Sequence, residues 1–213
     1  MKSLFIVFEG IDGSGTSTQA NLLKEYFITQ NQSAILSPEP TTGVIGKLIR
    51  EAMQSSIIPI QDKKKFDEQM AYLFAADRHY HIYNDVDGIL KLTQQDHCHV
   101  ITTRYYFSSL AYNCNTLEEF QFVSQLNAKF PQPDVVIYLD ISVQVSLNRI
   151  AERQLKEVYE NEEKLNHVRE NFINIFSEYE GNKLIINGQD TIENIHQQII
   201  QYLEGIAVSK STP

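Results

Sequence analysis

The chain has 213 residues, 42% of them hydrophobic, and a formal net charge of -9. That is enough apolar material for one α/β domain, which sets disorder aside. The acidic balance makes general nucleic-acid binding a poor fit, because phosphate-backbone contacts need clustered Lys and Arg.

The elements follow in chain order. The apolar run at 4–8 predicts a short buried strand, and apolar spacing at Leu22, Leu23, Tyr26 and Phe27 predicts a helix from about 17 to 30. A second short strand is expected at 33–36, stopped by "SPEP", then helices at 43–53, 62–83 and 85–94. Residues 99–103 read as a strand, and 105–128 as helix with a break at 113–116. "PDVVIYLD" (133–140) is the clearest buried strand, opened by Pro133 and rich in β-branched residues. Residues 142–178 read as helix with a charged stretch near 153–164, 183–187 as the last strand and 190–206 as the last helix, with a fraying tail. Strands alternating with helices imply a parallel sheet covered on both faces. No repeat, low-complexity segment or linker divides the chain, so a single domain over 1–213 is expected.

No segment has the long apolar core of a signal peptide or the ~20 apolar residues of a membrane span, so a cytoplasmic protein with no membrane partner is expected. Cys98 and Cys114 form no C-x-x-C pair and read as two reduced thiols. The "KKK" at 63–65 reads as a solvated face. His79, His81, His97 and His99 lie in two i, i+2 pairs, which is not a helical metal-ligand spacing.

The chemistry concentrates in "GIDGSGTSTQ" (10–19), between a predicted strand and a predicted helix. This nearly spells the phosphate-loop pattern G-x-x-x-x-G-K-[ST]. Gly10, Gly13 and Gly15 allow the backbone to curl so that the amides around Ser14, Thr16, Ser17 and Thr18 face one anion, aided by the positive end of the helix. Ser17 fills the hydroxyl position that meets Mg²⁺. Thr16, however, stands where the pattern has lysine. A unit charge about 4 Å away at an effective dielectric near 20 contributes about 4 kcal/mol. If that appeared only in the transition state, its loss would cost on the order of 10³ in rate.

Three further stretches, "SPEPTTGVIGKLIR" (37–50), "YLFAADRHYH" (72–81) and "TRYYFSSLAYN" (103–113), follow the loop. With "FEGIDGSG" before them, and "PDVVIYLDISVQVSLNRI" and "INGQDTIENIHQQI" after, they resemble the thymidylate (dTMP) kinases over nearly the whole chain. The resemblance implies a three-layer P-loop NTPase-type fold, a five-stranded parallel sheet flanked by helices with a helical lid at about 149–163. It also implies transfer of the γ-phosphoryl of ATP to dTMP with Mg²⁺, by a homodimer. Phe66, Met70 and Leu73 on the long helix are positions that would serve that dimer or an ordinary core.

Residue by residue, the resemblance implies that Phe74 stacks on thymine and Arg78, four residues on, donates to the base edge. Arg50 and Arg104 converge on the dTMP phosphate, which suits a dianion. Asp12 accepts from the sugar 3′-hydroxyl, Glu39 and Pro40 shape the loop under the phosphate, and Ser108, Ser109, Tyr112 and Asn113 line the nucleotide pocket. Asn113 replaces the usual Gln. On the donor side Thr103 replaces the family's Asp and Val158 an expected arginine, while Arg149 and Arg153 remain, with Lys156 nearby. Arg153, with Lys156, is then the candidate for the missing donor-side charge. The expected activity is dTMP kinase. The alternatives are a catalytically weakened or inactive nucleotide-binding protein of the same fold, and a kinase with another acceptor.

Overall fold

A computed structural model describes residues 3–54, 60–151 and 161–209. Arg153, Lys156 and Val158, most of the expected lid and the last four residues lie outside the described residues.

Five strands form one sheet: β1 (Phe5–Glu9), β2 (Ala34–Leu36), β3 (His99–Thr103), β4 (Val135–Asp140) and β5 (Lys183–Asn187). Every pairing is parallel and the order is β2-β3-β1-β4-β5. The nine helices among the described residues are α1 (Thr16–Thr29), α2 (Val44–Met53), α3 (Lys63–Tyr83), α4 (Ile89–Gln94), α5 (Tyr106–Asn113), α6 (Leu117–Asn127), α7 (Val143–Ala151), α8 (Glu162–Glu178) and α9 (Ile192–Ser209). None is long and apolar enough to cross a membrane.

β1 is buried along its full length, as a central strand between two helical layers must be. Its side chains alternate between two cores. Phe5 and Val7 pack with Val100, Val136, Phe107, Phe172 and Phe176 on one face. Ile6 and Phe8 pack with Ile101, Ile137, Leu23 and Phe27 on the other, joined by Ile195 and Ile199 of α9. β1 pairs with β3 on one side and β4 on the other. Chain progression therefore diverges at the carboxyl end of β1, the place where open parallel sheets form ligand crevices.

Several boundaries differ from the sequence expectation. The first strand extends to Glu9, whose Cα pairs with Tyr138. The helix expected from 85 begins at Ile89, because the Asn84 side chain accepts from the N–H groups of Val86 and Asp87 and holds a turn instead. Among the described residues, the helical stretch expected over 142–178 holds two helices, α7 and α8. α8 starts afresh at Glu162 with Asn161 as N-cap, its side chain accepting from Lys164 N–H at 2.9 Å. The break near 113–116 is as expected: Thr116 and Glu119 form a capping box at the start of α6.

Met70, considered for a dimer surface, is fully buried against Ile49 and Ala52, with Phe66 and Leu73 partly buried beside it. These positions pack α2 against α3 within the chain. Lys63, Lys64 and Lys65 are exposed. His99 stacks on Phe27 at 4.1 Å, and Cys98 and Cys114 are buried and free.

Candidate active site

The loop after β1 curls as its glycines permit. Gly13 has φ +78° and Gly15 φ +97°, in the left-handed region where a side chain is strained. Ser14 N–H turns back to the Ile11 carbonyl at 3.0 Å, and α1 begins at Thr16. The N–H groups at the start of α1 have no partner within the helix, so they are free to meet an anion. The loop carbonyls are drawn the other way by α7. Ser146 Oγ donates to the Asp12 carbonyl at 2.6 Å, and Arg149 Nη1 to the Gly13 carbonyl at 2.9 Å. Gly10 sits at the buried base of the loop, where a Cβ would lie 2.9 Å from the Leu139 carbonyl.

Residues 11–19 line a cavity of about 460 Å³, completed by Thr103, Arg104, Arg149 and the Gly188–Ile195 segment. Ser17 and Thr18 are exposed, and Thr16 partly so. Among the described residues the cations lining this cavity are Arg104 and Arg149. Neither comes from the helix position that normally supplies the lysine. The hydroxyls of Ser17 and Thr103 fit Mg²⁺ as partners of its water or phosphate oxygens, since this ion is held largely by substrate phosphates and water rather than a protein cage.

A second pocket of about 170 Å³ lies beyond Arg104. Its lining brings together all eleven residues expected around dTMP: Asp12, Glu39, Pro40, Arg50, Phe74, Arg78, Arg104, Ser108, Ser109, Tyr112 and Asn113. They come from five separate stretches of chain. Asp12 and Arg104 line both cavities and so mark the boundary between them.

Arg104 is the hub. Its Nη2 donates to Asp12 Oδ1 at 2.6 Å, its Nη1 to Ser108 Oγ at 3.2 Å, and its guanidinium lies 4.8 Å from the centre of the Tyr112 ring. Tyr112 Oη donates to the second Asp12 oxygen at 3.0 Å. Burial works against the Arg104 charge, but Tyr112 and Asp12 outweigh it and hold its pKa above the ordinary value. Burial raises the Tyr112 pKa, so the phenol remains a donor.

Arg78 is almost wholly buried. Its Nε donates to Glu39 Oε2 at 2.9 Å and its Nη1 to Asn127 Oδ1 at 2.6 Å. Nη2 lies 2.7 Å from Glu39, and the guanidinium is flanked by the Tyr105 and Phe130 rings. Glu39 also meets His81 Nδ1 at 3.1 Å, whose other nitrogen meets Ser37 Oγ at 2.7 Å. Arg50 donates to the Pro40 and Thr41 carbonyls, and Asp77 accepts from Thr41 N–H and Oγ1 at 2.7 and 2.6 Å. The loop under the pocket is thus held from α2 and α3 together.

Sequence reasoning missed Glu9, Asp77, Asn127 and Ser146. Glu9 had a signal, a carboxylate closing an otherwise apolar strand. Asp77 sits between two residues of the recognised "AADR" stretch. Asn127 and Ser146 carry no local signal, because their partners lie 49 and 134 residues away.

A phosphate loop at the carboxyl end of a central parallel strand, facing a second pocket across a shared arginine, defines a P-loop kinase that acts on a small phosphorylated acceptor. The family model described as "Thymidylate kinase" matches residues 8–199, and the chain belongs to that family. A "Probable thymidylate kinase" from Methanococcus aeolicus is 38% identical over 204 residues, covering 93% of this chain and 95% of the relative. One from Thermococcus kodakarensis is 38% identical, covering 94% and 97%. A "Putative thymidylate kinase" from Treponema pallidum is 36% identical, covering 93% and 94%.

Proposed function

We propose that the protein transfers the γ-phosphoryl group of ATP to dTMP, giving dTDP and ADP. The observation that supports this most is the junction of two cavities at Asp12 and Arg104, one rimmed by the phosphate loop and the other by Phe74, Arg78 and Arg50. An oxygen of the dTMP phosphate forms the bond to the γ-phosphorus while the bond to the β,γ-bridging oxygen breaks. With its second pKa near 6 the acceptor is already largely a dianion at neutral pH and needs no general base. The work left to the protein is alignment and charge stabilisation.

Arg104 and Arg50 hold the acceptor phosphate, Phe74 and Arg78 the base, and Asp12 the sugar hydroxyl. Ser108, Tyr112 and Asn113 wall the pocket. The amides of residues 13–18 hold the donor phosphates. When bound with ATP, Mg²⁺ would be held by Ser17 and phosphate oxygens and would neutralise phosphate charge. Arg153, with Lys156, supplies donor-side cationic charge in place of the absent loop lysine.

The working form is a cytoplasmic homodimer of single-domain chains. Val44 (88% exposed) and Leu48 (39%), one turn apart on α2, offer it an apolar surface. Sedimentation would show twice the chain mass.

The decisive comparison is an ATP-dependent phosphorylation panel of dTMP, dCMP and thymidine with product separation by ion exchange. dTDP as the main product is expected. A preference for dCMP would move the acceptor, and phosphorylation of thymidine would contradict the role of Arg104.

A further inference from the structure

Glu9 is fully buried at the end of β1, and no step above uses it. Its carboxylate faces the segment that carries Arg104. Oε1 accepts from Tyr105 N–H at 2.8 Å and Ser108 N–H at 3.3 Å, and Oε2 from Ser108 Oγ at 2.6 Å. The same Ser108 oxygen accepts from Arg104 Nη1 at 3.2 Å. Glu9, Ser108 and the Arg104 fork therefore form one relay.

Arg104 needs such support. Its φ is +71°, a conformation a non-glycine residue adopts only where its surroundings impose it. Three bonds impose it. Arg104 N–H donates to the Phe8 carbonyl at 2.8 Å, Thr102 Oγ1 donates to the Arg104 carbonyl at 3.1 Å, and the next N–H is the one taken by Glu9. The fold turns the chain sharply at the end of β3 to aim this arginine at the cavity boundary.

We propose that Glu9 is a positioning residue for the acceptor phosphate: through Ser108 it fixes the direction in which Arg104 presents its guanidinium to a phosphate monoester. This rests on the dTMP reading above and adds a residue that never touches substrate. The ligand group it governs is the phosphate alone, because Phe74 and Arg78 reach the rest of the pocket from other elements.

The test measures, for wild type, Glu9→Gln, Ser108→Ala and the double variant, the dTMP kinetic constants and the inhibition constant of thymidine, which lacks the phosphate. Glu9→Gln keeps size and one acceptor but reverses the bond to Ser108. It is expected to raise KM for dTMP about tenfold, the scale of one coupled hydrogen bond. The value of kcat should change by less than about threefold, and thymidine inhibition should be unchanged. Ser108→Ala alone should reproduce the dTMP-selective loss, and the double variant should be no worse than Ser108→Ala. If Glu9→Gln folds poorly, Glu9→Asp decides: it draws the carboxylate back from Ser108, and an unaltered dTMP KM there overturns the relay. Equal weakening of dTMP and thymidine, or full additivity of the two changes, also overturns it. Wild type with no dTMP turnover would overturn the functional reading instead.

Discussion

Arg78 has a protein partner on three sides before any substrate arrives. Glu39 takes two of its nitrogens, Asn127 a third, and two rings flank the plane. A lysine has neither the fork nor the plane. Arg78→Lys leaves Glu39 partly unpaired in a buried site and is expected to cost about 3 kcal/mol of stability, read by denaturant unfolding. On the base-contacting role proposed for Arg78, it should also lower kcat/KM for dTMP more than for dCMP. Glu9 makes a prediction of opposite sign. Burial raises its pKa from 4.5 to about 7, against the lowering effects of Ser108, Arg104, the Tyr105 N–H and Arg78. The folded state then binds more protons than the unfolded one between about 4.5 and 7, so this group's stabilising contribution is full below that window and is lost as pH rises through it. Glu9→Gln removes the loss, so its melting temperature relative to wild type should rise from pH 5 to pH 8. A flat difference would show that Glu9 titrates normally. A variant more stable at pH 8 yet weaker for dTMP separates positioning from mere packing. The pocket residues at this scale were legible because each stands inside a contiguous family stretch. Glu9 was not, because a strand-end carboxylate shows its purpose only once Ser108, 99 residues on, is folded against it.

At the scale of elements, α3 and α7 act as clamps. Asp77 of α3 holds Thr41 by backbone and hydroxyl, and Arg50 of α2 holds the carbonyls of Pro40 and Thr41. Asp77→Asn keeps an acceptor but loses the charge, and is expected to cost about 1–2 kcal/mol and to raise KM for dTMP through Arg50. Unchanged melting and kinetics would show that the loop holds itself. α7 pins two carbonyls of the phosphate loop. Ser146→Ala frees the Asp12 carbonyl, and since Asp12 lines both cavities it should raise KM for ATP and for dTMP several-fold each, by the single-hydrogen-bond scale. Unchanged constants for both substrates would show that the loop holds its own shape. The existence and order of nearly all elements were readable from apolar periodicity. The misplaced boundaries have a common cause: Asn84 and Asn161 redirect backbone N–H groups through their side chains, which periodicity does not sense.

In the whole molecule, the two cavities meet at Asp12 and Arg104; one gathers the residues expected around dTMP, and the other has Thr16 and Thr103 where the family pattern has charged residues. The family and fold were legible from the ordered stretches. That Arg104 lines both cavities was not, since it depends on which cations the folded chain turns toward the loop. Arg153→Ala is expected to lower turnover by at least tenfold if it supplies one coordinated charge, a loss of about 1.4 kcal/mol or more. Whether the chain is an active dTMP kinase without the loop lysine is read most directly from steady-state phosphorylation of dTMP by wild type and Thr16→Lys, with ATP and Mg²⁺. Wild-type turnover in the ordinary kinase range of about 1–100 s⁻¹ is expected, with lysine adding little. Tight dTMP binding without turnover, or turnover restored only by Thr16→Lys, would show instead a nucleotide-binding protein that has lost catalysis with the lysine.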